Sequence, residues 1–213
     1  MYDSLQPGRM VELLMERTCR YGVLRVLYGD IWKQEADVMV APANNRLSGR
    51  EGVDADLHRA AGEELRLACR EIAVGQRKLN LPPCPVGTAV RTDPFALPAK
   101  HVIHVVGPDC RRPNQNDDRR ELLPVAYQAL FDQILALGDI ETVAAPPLSM
   151  GVFVYPHREG AKMTFASLLG WLDTDENCVK EYMMLVRNKP FISNMRTVYR
   201  ETEDQFPGMD TTE

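Results

Sequence analysis

The 213-residue chain lacks an apolar run long enough to cross a bilayer. Its longest uncharged window, Thr142 to His157, is short and is broken by Pro146, Pro147, Gly151 and Pro156. An excess of positive charge is missing too: 25 Lys and Arg stand against 30 Asp and Glu. Five of those acids (Glu201, Glu203, Asp204, Asp210 and Glu213) fall in residues 201–213, so residues 1–200 balance at 25 against 25. A neutral body argues against membrane binding and against polybasic capture of nucleic acid, while leaving room for a local basic patch. The five cysteines (Cys19, Cys69, Cys84, Cys110 and Cys178) are scattered and form no Cys-x-x-Cys pair. That excludes a disulfide framework as the organising principle and suits reduced thiols in a cytoplasmic or nuclear compartment. Met1-Tyr2-Asp3-Ser4 has neither the basic nor the apolar region of a secretory signal. His101-x-x-His104 lies in an apolar run with few other ligands nearby, which favours strand packing over a zinc site.

What remains is ordinary globular composition, 45% hydrophobic and 26% charged, at a length suited to one domain. Met10 to Arg17 and Gly22 to Leu27 read as a strand pair, and Asp37 to Ala41 as a third strand. From Asp54 to Ile72, Leu57, Ala61, Leu65, Ala68 and Ile72 recur at helical spacing. Thr88 to Thr92 and His101 to Val106 are strand-like, the second apolar enough to be central. A polar loop, Pro108 to Arg120, precedes a helix marked by Leu123, Tyr127, Leu130, Ile134 and Leu137, with Pro124 tolerable in its first turn. A strand at Thr142 to Ala145, a helix following Pro156, a strand at Glu181 to Val186 and a helix from Phe191 to Tyr199 complete the pattern. This alternation predicts a three-layer α/β/α domain over residues 10–200, around a mixed, largely parallel sheet. Residues 201–213 form an acidic tail with little to bury, expected to be disordered.

In such sheets ligands bind at loops leaving the carboxyl ends of strands. Two loops qualify. Asn44 to Val53 carries Gly49 and Gly52 and feeds a helix N-terminus, where free amides favour anions. Ser149 to Tyr155 carries Gly151 between a strand and a helix. There is neither a P-loop nor a Gly-x-Gly-x-x-Gly fingerprint. Gly49-Arg50-Glu51-Gly52 matches the KH clamp in letters only, since that motif joins two helices. Pro147-Leu148-Ser149-Met150-Gly151 lacks the first glycine of a nucleophile elbow.

The residues of both loops, taken in order, carry more. Gly29-Asp30-Ile31, Val38-Met39-Val40-Ala41-Pro42-Ala43-Asn44, and Gly52-Val53-Asp54-Ala55-Asp56-Leu57-His58-Arg59-Ala60-Ala61-Gly62 resemble the macrodomain family of ADP-ribose-binding proteins. Leu97 to Pro108 resembles that family's central strand, and Pro146 to Pro156 its second phosphate loop. The resemblance implies a macrodomain fold and ADP-ribose, or a mono-ADP-ribosylated protein, as partner, with no metal or redox cofactor. Residue by residue it implies that Asp30, followed by Ile31, accepts from the adenine amino group. It implies that Gly49, Gly52 and the backbone of Gly151, Val152 and Phe153 hold the diphosphate, that Val53 and Ser149 also contact the ligand, and that Phe153 packs on the distal ribose.

In the hydrolytic members that this sequence resembles, Asn44 would hold a distal ribose hydroxyl. Asp54 would orient a water for attack at the anomeric carbon of a ribose joined to a carboxylate. Asp54 also opens a helix, where its alternative role is capping; His58, one turn on, suits packing.

Three departures stand out: Ala41 in place of an asparagine, Arg50-Glu51 in place of glycines, and Val154 in place of a second glycine. An aromatic that commonly stacks on adenine is replaced near Val186-Arg187, where arginine can also stack. Glu51 near a diphosphate must point outward, pair with Arg46 or Arg50, or weaken binding. Three functions follow: a hydrolase of mono-ADP-ribose on acidic side chains or of related ADP-ribose esters; a non-catalytic reader of ADP-ribose; or a scaffold for another nucleotide or RNA, which the neutral body disfavours.

Overall fold

Strands that are apolar at nearly every position are stable only when both faces are covered. In the computed structural model, which describes residues 11–111, 120–174 and 178–203, such strands form the middle of the sheet. The strands are β1 (Glu12–Thr18), β2 (Val23–Tyr28), β3 (Ala36–Pro42), β4 (Ala89–Thr92), β5 (Ala99–Val105), β6 (Thr142–Ala145) and β7 (Glu181–Val186). Their order is β1-β2-β7-β6-β3-β5-β4. The five inner strands run parallel, and β1 and β4 close the edges antiparallel. The mixed, largely parallel sheet is as expected.

Period-two alternation then sorts the inner strands between two cores. Val38, Val40, Ile103, Val105, Val143, Ala145, Met184 and Val186 face one side. There they pack on α3 (Leu122–Leu137), α4 (His157–Leu172) and α5 (Lys189–Glu201). Met39, Ala41, Val102, Ala144, Met183 and Leu185 face the other side, against α1 (Gly52–Ala61) and the start of α2 (Glu63–Lys78). Three layers result. Because β7, β6 and β3 are neighbours, the chain leaving their carboxyl ends gathers at one edge of the sheet.

Three local features depart from the expectations. The single helix expected over Asp54 to Ile72 is two helices. Leu57, Ala61 and Leu65 do form one buried stripe, but Gly62 between them adopts φ 94° and turns the axis. Glu63 and Glu64 then open α2, where acids suit a helix N-terminus. A short 3₁₀ turn, Ile31–Lys33, follows Asp30. At the C-terminus, Arg17 donates to Thr202 Oγ1 at 3.0 Å and to the Tyr199 carbonyl at 2.8 Å. Residues 201–203 are thus part of the fold. The rest of the acidic tail, and most of the loop between Pro108 and Arg120, lie outside the described residues.

Gly62→Ala forces a side chain into the left-handed region and sets its Cβ 2.9 Å from Glu64 Oε2. We expect a loss of about 1–2 kcal/mol, read as a melting temperature lower by about 2–8 °C. An unchanged melting curve would show that the break between α1 and α2 does not need this backbone conformation.

Candidate functional site

The chain leaving β3, β6 and β7 encloses a cleft of about 850 Å³, its open mouth included. The walls come from three segments: Pro42 to Asp54, Pro146 to Phe153, and Leu185 to Asn188. Of the residues singled out in the sequence, Asn44, Gly52, Val53, Asp54, Ser149, Gly151, Val152 and Phe153 line this cleft. Asp30, Ile31 and Gly49 do not. Ile31 is buried in the core beside α1, and Gly49 lines a neighbouring groove.

The first loop is shaped by Asn44. Its Oδ1 accepts from the backbone N–H of Arg46 at 3.0 Å and of Ser48 at 3.3 Å, while its Nδ2 donates to Ser48 Oγ at 2.6 Å. This is the local turn chemistry that asparagine favours. Gly49 and Gly52 follow at φ 57° and 58°. In the second loop the amide of Val154 bonds to the Gly151 carbonyl and that of Tyr155 to the Ser149 carbonyl. Val154 occupies φ 52°, a conformation that strains a β-branched residue. Ser149 Oγ is buried without a hydrogen-bond partner among the described residues. The two loops meet where a Cβ on residue 52 would lie 3.0 Å from Val152 Cγ2.

Asp54 lies in the first turn of α1 but does not cap it; Glu51 holds the N-cap position, without a side-chain cap bond. Asp54 is only 3% exposed, and among the described residues neither carboxylate oxygen makes a hydrogen bond of good geometry, the Gly49 backbone being the group that approaches it. His58 Nε2 lies 3.7 Å from Asp54 Oδ1. Burial pushes the carboxyl up to about 7, against a smaller downward pull from the Gly49 backbone. His58 is also buried, which lowers its pKa, with the Arg66 charge acting in the same direction. The pair is therefore a shielded carboxyl beside a neutral imidazole rather than a formed ion pair.

Charged side chains ring the mouth. Glu51 is exposed and pairs with Arg111 at 3.4 Å, not with Arg46 or Arg50. The Arg111 guanidinium also lies 5.4 Å over the Phe153 ring. At the opposite end, Arg187 Nη1 stands 3.4 Å from Asp30 Oδ1 and 3.5 Å from Asp56 Oδ2, with its guanidinium 5.4 Å over the Trp32 ring. Lys33 takes the other oxygen of Asp30 at 2.9 Å. Asp30 therefore reaches the cleft wall through Arg187. Sequence reasoning overlooked Arg111 and Asn188. Nothing local marked Arg111; Asn188 carried a signal in Asn188-Lys189-Pro190, and its side chain caps α5 by accepting from the Phe191 amide.

Beneath the first loop, His58, Cys69 and His104 bring one potential ligand atom each within 4.8 Å of one another, all buried. His104 Nε2 is already engaged by Thr92 Oγ1 at 3.0 Å, with Cys69 Sγ 3.7 Å away. Burial pushes the Cys69 thiol up to about 12, away from the thiolate a metal needs. These groups form a neutral polar layer in the core. His101 is an odd number of residues from His104 on β5, and so lies on the opposite face.

The family model described as Macro domain matches residues 40–164. Among curated proteins, the rat (Rattus norvegicus) ADP-ribose glycohydrolase MACROD1 is 37% identical over 173 residues, which are 81% of this chain and 61% of that protein. The chain thus spans less than two thirds of that relative's length. An O-acetyl-ADP-ribose deacetylase of Cronobacter sakazakii is 33% identical over 187 residues, 88% of this chain and 98% of that protein. Among solved structures, the Oceanobacillus iheyensis macrodomain with ADP superposes with a TM-score of 0.81 at 28% identity, covering 93% of this chain and all of that one.

Because Asp54 is buried rather than capping, its replacement has a pH signature. The folded carboxyl, at about 7, lies above the unfolded value of 3.8. The native state therefore holds the proton more tightly, and stability is lost as pH rises from about 4 through 7. Asp54→Asn removes that loss. We expect the variant to gain on the parent between pH 4 and 7, by at most about 4 kcal/mol, read from urea denaturation at several pH values. A gain independent of pH would rule out a carboxyl titrating in this range.

Proposed function

The chain belongs to the Macro domain family, and from that premise we propose that it binds ADP-ribose in the cleft and hydrolyses the bond joining its distal ribose to a carboxylate. The substrates are mono-ADP-ribosylated acidic side chains or related ADP-ribose esters. The observation that carries this reading is Asp54: a carboxyl buried at the wall of a cleft it shares with Asn44, pushed up to about 7 by that burial. A base of that pKa balances ionised fraction against proton affinity at neutral pH. The names of the rat and Cronobacter relatives support the same chemistry.

In this reading the amides of Gly52 and Val53 at the α1 N-terminus, with those of Gly151, Val152 and Phe153, receive the diphosphate. Phe153 packs on the distal ribose, and Asn44 holds one of its hydroxyls. Asp54 orients a water toward the anomeric carbon and takes its proton as the carboxylate leaves. Arg187, poised between Asp30 and Asp56, lies over the base, and Asp30 accepts from the adenine amino group. A second reading, a reader that binds without turnover, draws on two observations. Ala41 is fully buried and brings no polar group to the ribose, and Asp54 must gain contact with water before it can act.

Titration calorimetry should give tighter binding of ADP-ribose than of AMP, because AMP lacks the second phosphate and the distal ribose that the second loop and Phe153 contact. Equal affinities would remove the second loop from the site.

Asp54→Asn should lower hydrolysis of a mono-ADP-ribosylated protein by about 10²–10⁴-fold while ADP-ribose affinity stays within a few-fold. The parent's kcat/KM should climb with pH and level off above about 7 as Asp54 ionises. Undiminished turnover in Asp54→Asn would favour another base, and a parent that binds without turnover would favour the reader.

A further inference from the structure

Next to the cleft, and sharing Asn44 and Glu51 with it, a second groove runs over the first loop and the outer side of α2. Six exposed arginines line it (Arg46, Arg50, Arg66, Arg70, Arg77 and Arg111) against two glutamates, Glu51 and Glu63. Glu63 is held by Arg66 at 2.6 Å and Glu51 by Arg111 at 3.4 Å. That leaves Arg46, Arg50, Arg70 and Arg77 with no acidic partner among the described residues. Residues 1–200 carry no net charge, so this is a local concentration rather than the expression of a basic protein. Arg66, Arg70 and Arg77 are spaced four and seven residues apart on one face of α2, spanning about 16 Å at 1.5 Å per residue.

The composition of the groove narrows the ligand. No lysine and no aromatic residue lines it. Single-stranded nucleic acids are held by basic grooves interleaved with aromatic rings on which bases stack. Guanidinium forks with no stacking surface instead match planar carboxylates, which they grip through two hydrogen bonds. The groove opens at Asn44, where the reacting end of ADP-ribose lies in our reading of the cleft.

We propose that the groove receives an acidic polypeptide segment flanking the modified side chain, so that the substrate class is an ADP-ribosylated acidic stretch. The proposal rests on the cleft holding ADP-ribose. An extended segment of about five residues covers the 16 Å at about 3.3 Å per residue.

The test is fluorescence anisotropy at low salt, with peptides carrying one ADP-ribose through a non-hydrolysable linkage. One has Asp and Glu flanks, one has Ser and Gly flanks of equal length, and an ADP-ribosylated oligonucleotide of matched charge serves as the third probe. The parent should bind the acidic peptide about tenfold tighter than the neutral one, as expected of two or more rim ion pairs. Arg70→Ser/Arg77→Ser should reduce that preference to less than about twofold, and Arg70→Glu/Arg77→Glu should invert it. Free ADP-ribose should bind parent and variants alike, since neither arginine touches the cleft. Equal affinity for the two peptides in the parent, or a preference that survives both double variants, overturns the groove and leaves the cleft reading standing. Tighter binding of the oligonucleotide than of the acidic peptide, lost in the same variants, reassigns the groove to nucleic acid and overturns the proposal. Failure of free ADP-ribose to bind overturns both, because the groove is proposed as an extension of the cleft.

Discussion

The first loop lies with its backbone directly on the ring of His58, and much of the site depends on that contact. A Cβ at position 49 would sit 2.3 Å from His58 Cγ, a distance no side chain tolerates, and φ there is 57°. Glycine answers both demands at once. The imidazole beneath is supported in turn: its ring centroid is 6.0 Å from that of His104 on β5, which bonds to Thr92 on β4. A column of packed groups thus runs from the edge of the sheet up to the loop. Burial keeps it uncharged, driving His104 down to about 3 and His58 below its ordinary value. Asp54 shares this shielded layer, so the packing that sets the loop also makes its carboxylate costly to ionise. Ionised at neutral pH, Asp54 therefore weakens the fold it is packed into.

The same economy of space governs the second loop. Ser149 can approach β5 because residue 107 is glycine; a Cβ there would lie 2.3 Å from Ser149 Oγ. Phe153 is tied to the neighbouring segment by the bond from the Cys110 amide to its carbonyl. Arg111, one residue further on, is thereby held over the Phe153 ring and against Glu51. The Glu51 carboxylate thus meets a guanidinium from across the cleft, one whose shorter contact, at 2.6 Å, is with Asp109. An anion entering there would compete with both Asp109 and Glu51 for the same guanidinium, and Glu51, exposed and the more distant of the two, gives way at the lower cost.

Sheet, layers and most element boundaries were legible because period-two and period-3.6 patterns record burial directly. His101 to Val106 read as central because it is nearly all apolar, and it is one of the five inner strands. The one misread helix shows the limit of periodicity. Leu57, Ala61 and Leu65 keep a helical spacing although the axis turns at Gly62, because both helices bury onto the same core. The Gly62-Glu63-Glu64 run was the available clue. Site residues on the two glycine loops could be read from their order along the chain. Contacts across long separations could not: Glu51 with Arg111, sixty residues apart, and Asp30 with Arg187, farther still, are set by which strand ends adjoin. The role of Asp54 as a cap was a sound local inference that tertiary burial overrode, since a carboxylate turned inward cannot reach the free amides of its own helix.

Net charge illustrates a different limit. Summed over residues 1–200 it vanishes, and on that sum a polyanionic partner is disfavoured. The field a ligand meets is not a sum over the molecule, because charges more than about 8–10 Å away are largely screened at physiological salt. Within that radius the wall beside Asn44 carries arginines whose acids are spent elsewhere: Asp37 on Lys100, Asp56 on Arg59 and Arg187, Glu181 on Arg25. Neutrality of the whole is thus compatible with a strongly cationic approach to the Asn44 end of the cleft. What the linear sequence hid was only its assembly, since Arg46 and Arg50 come from a loop, Arg66, Arg70 and Arg77 from a helix, and Arg111 from a segment beyond β5.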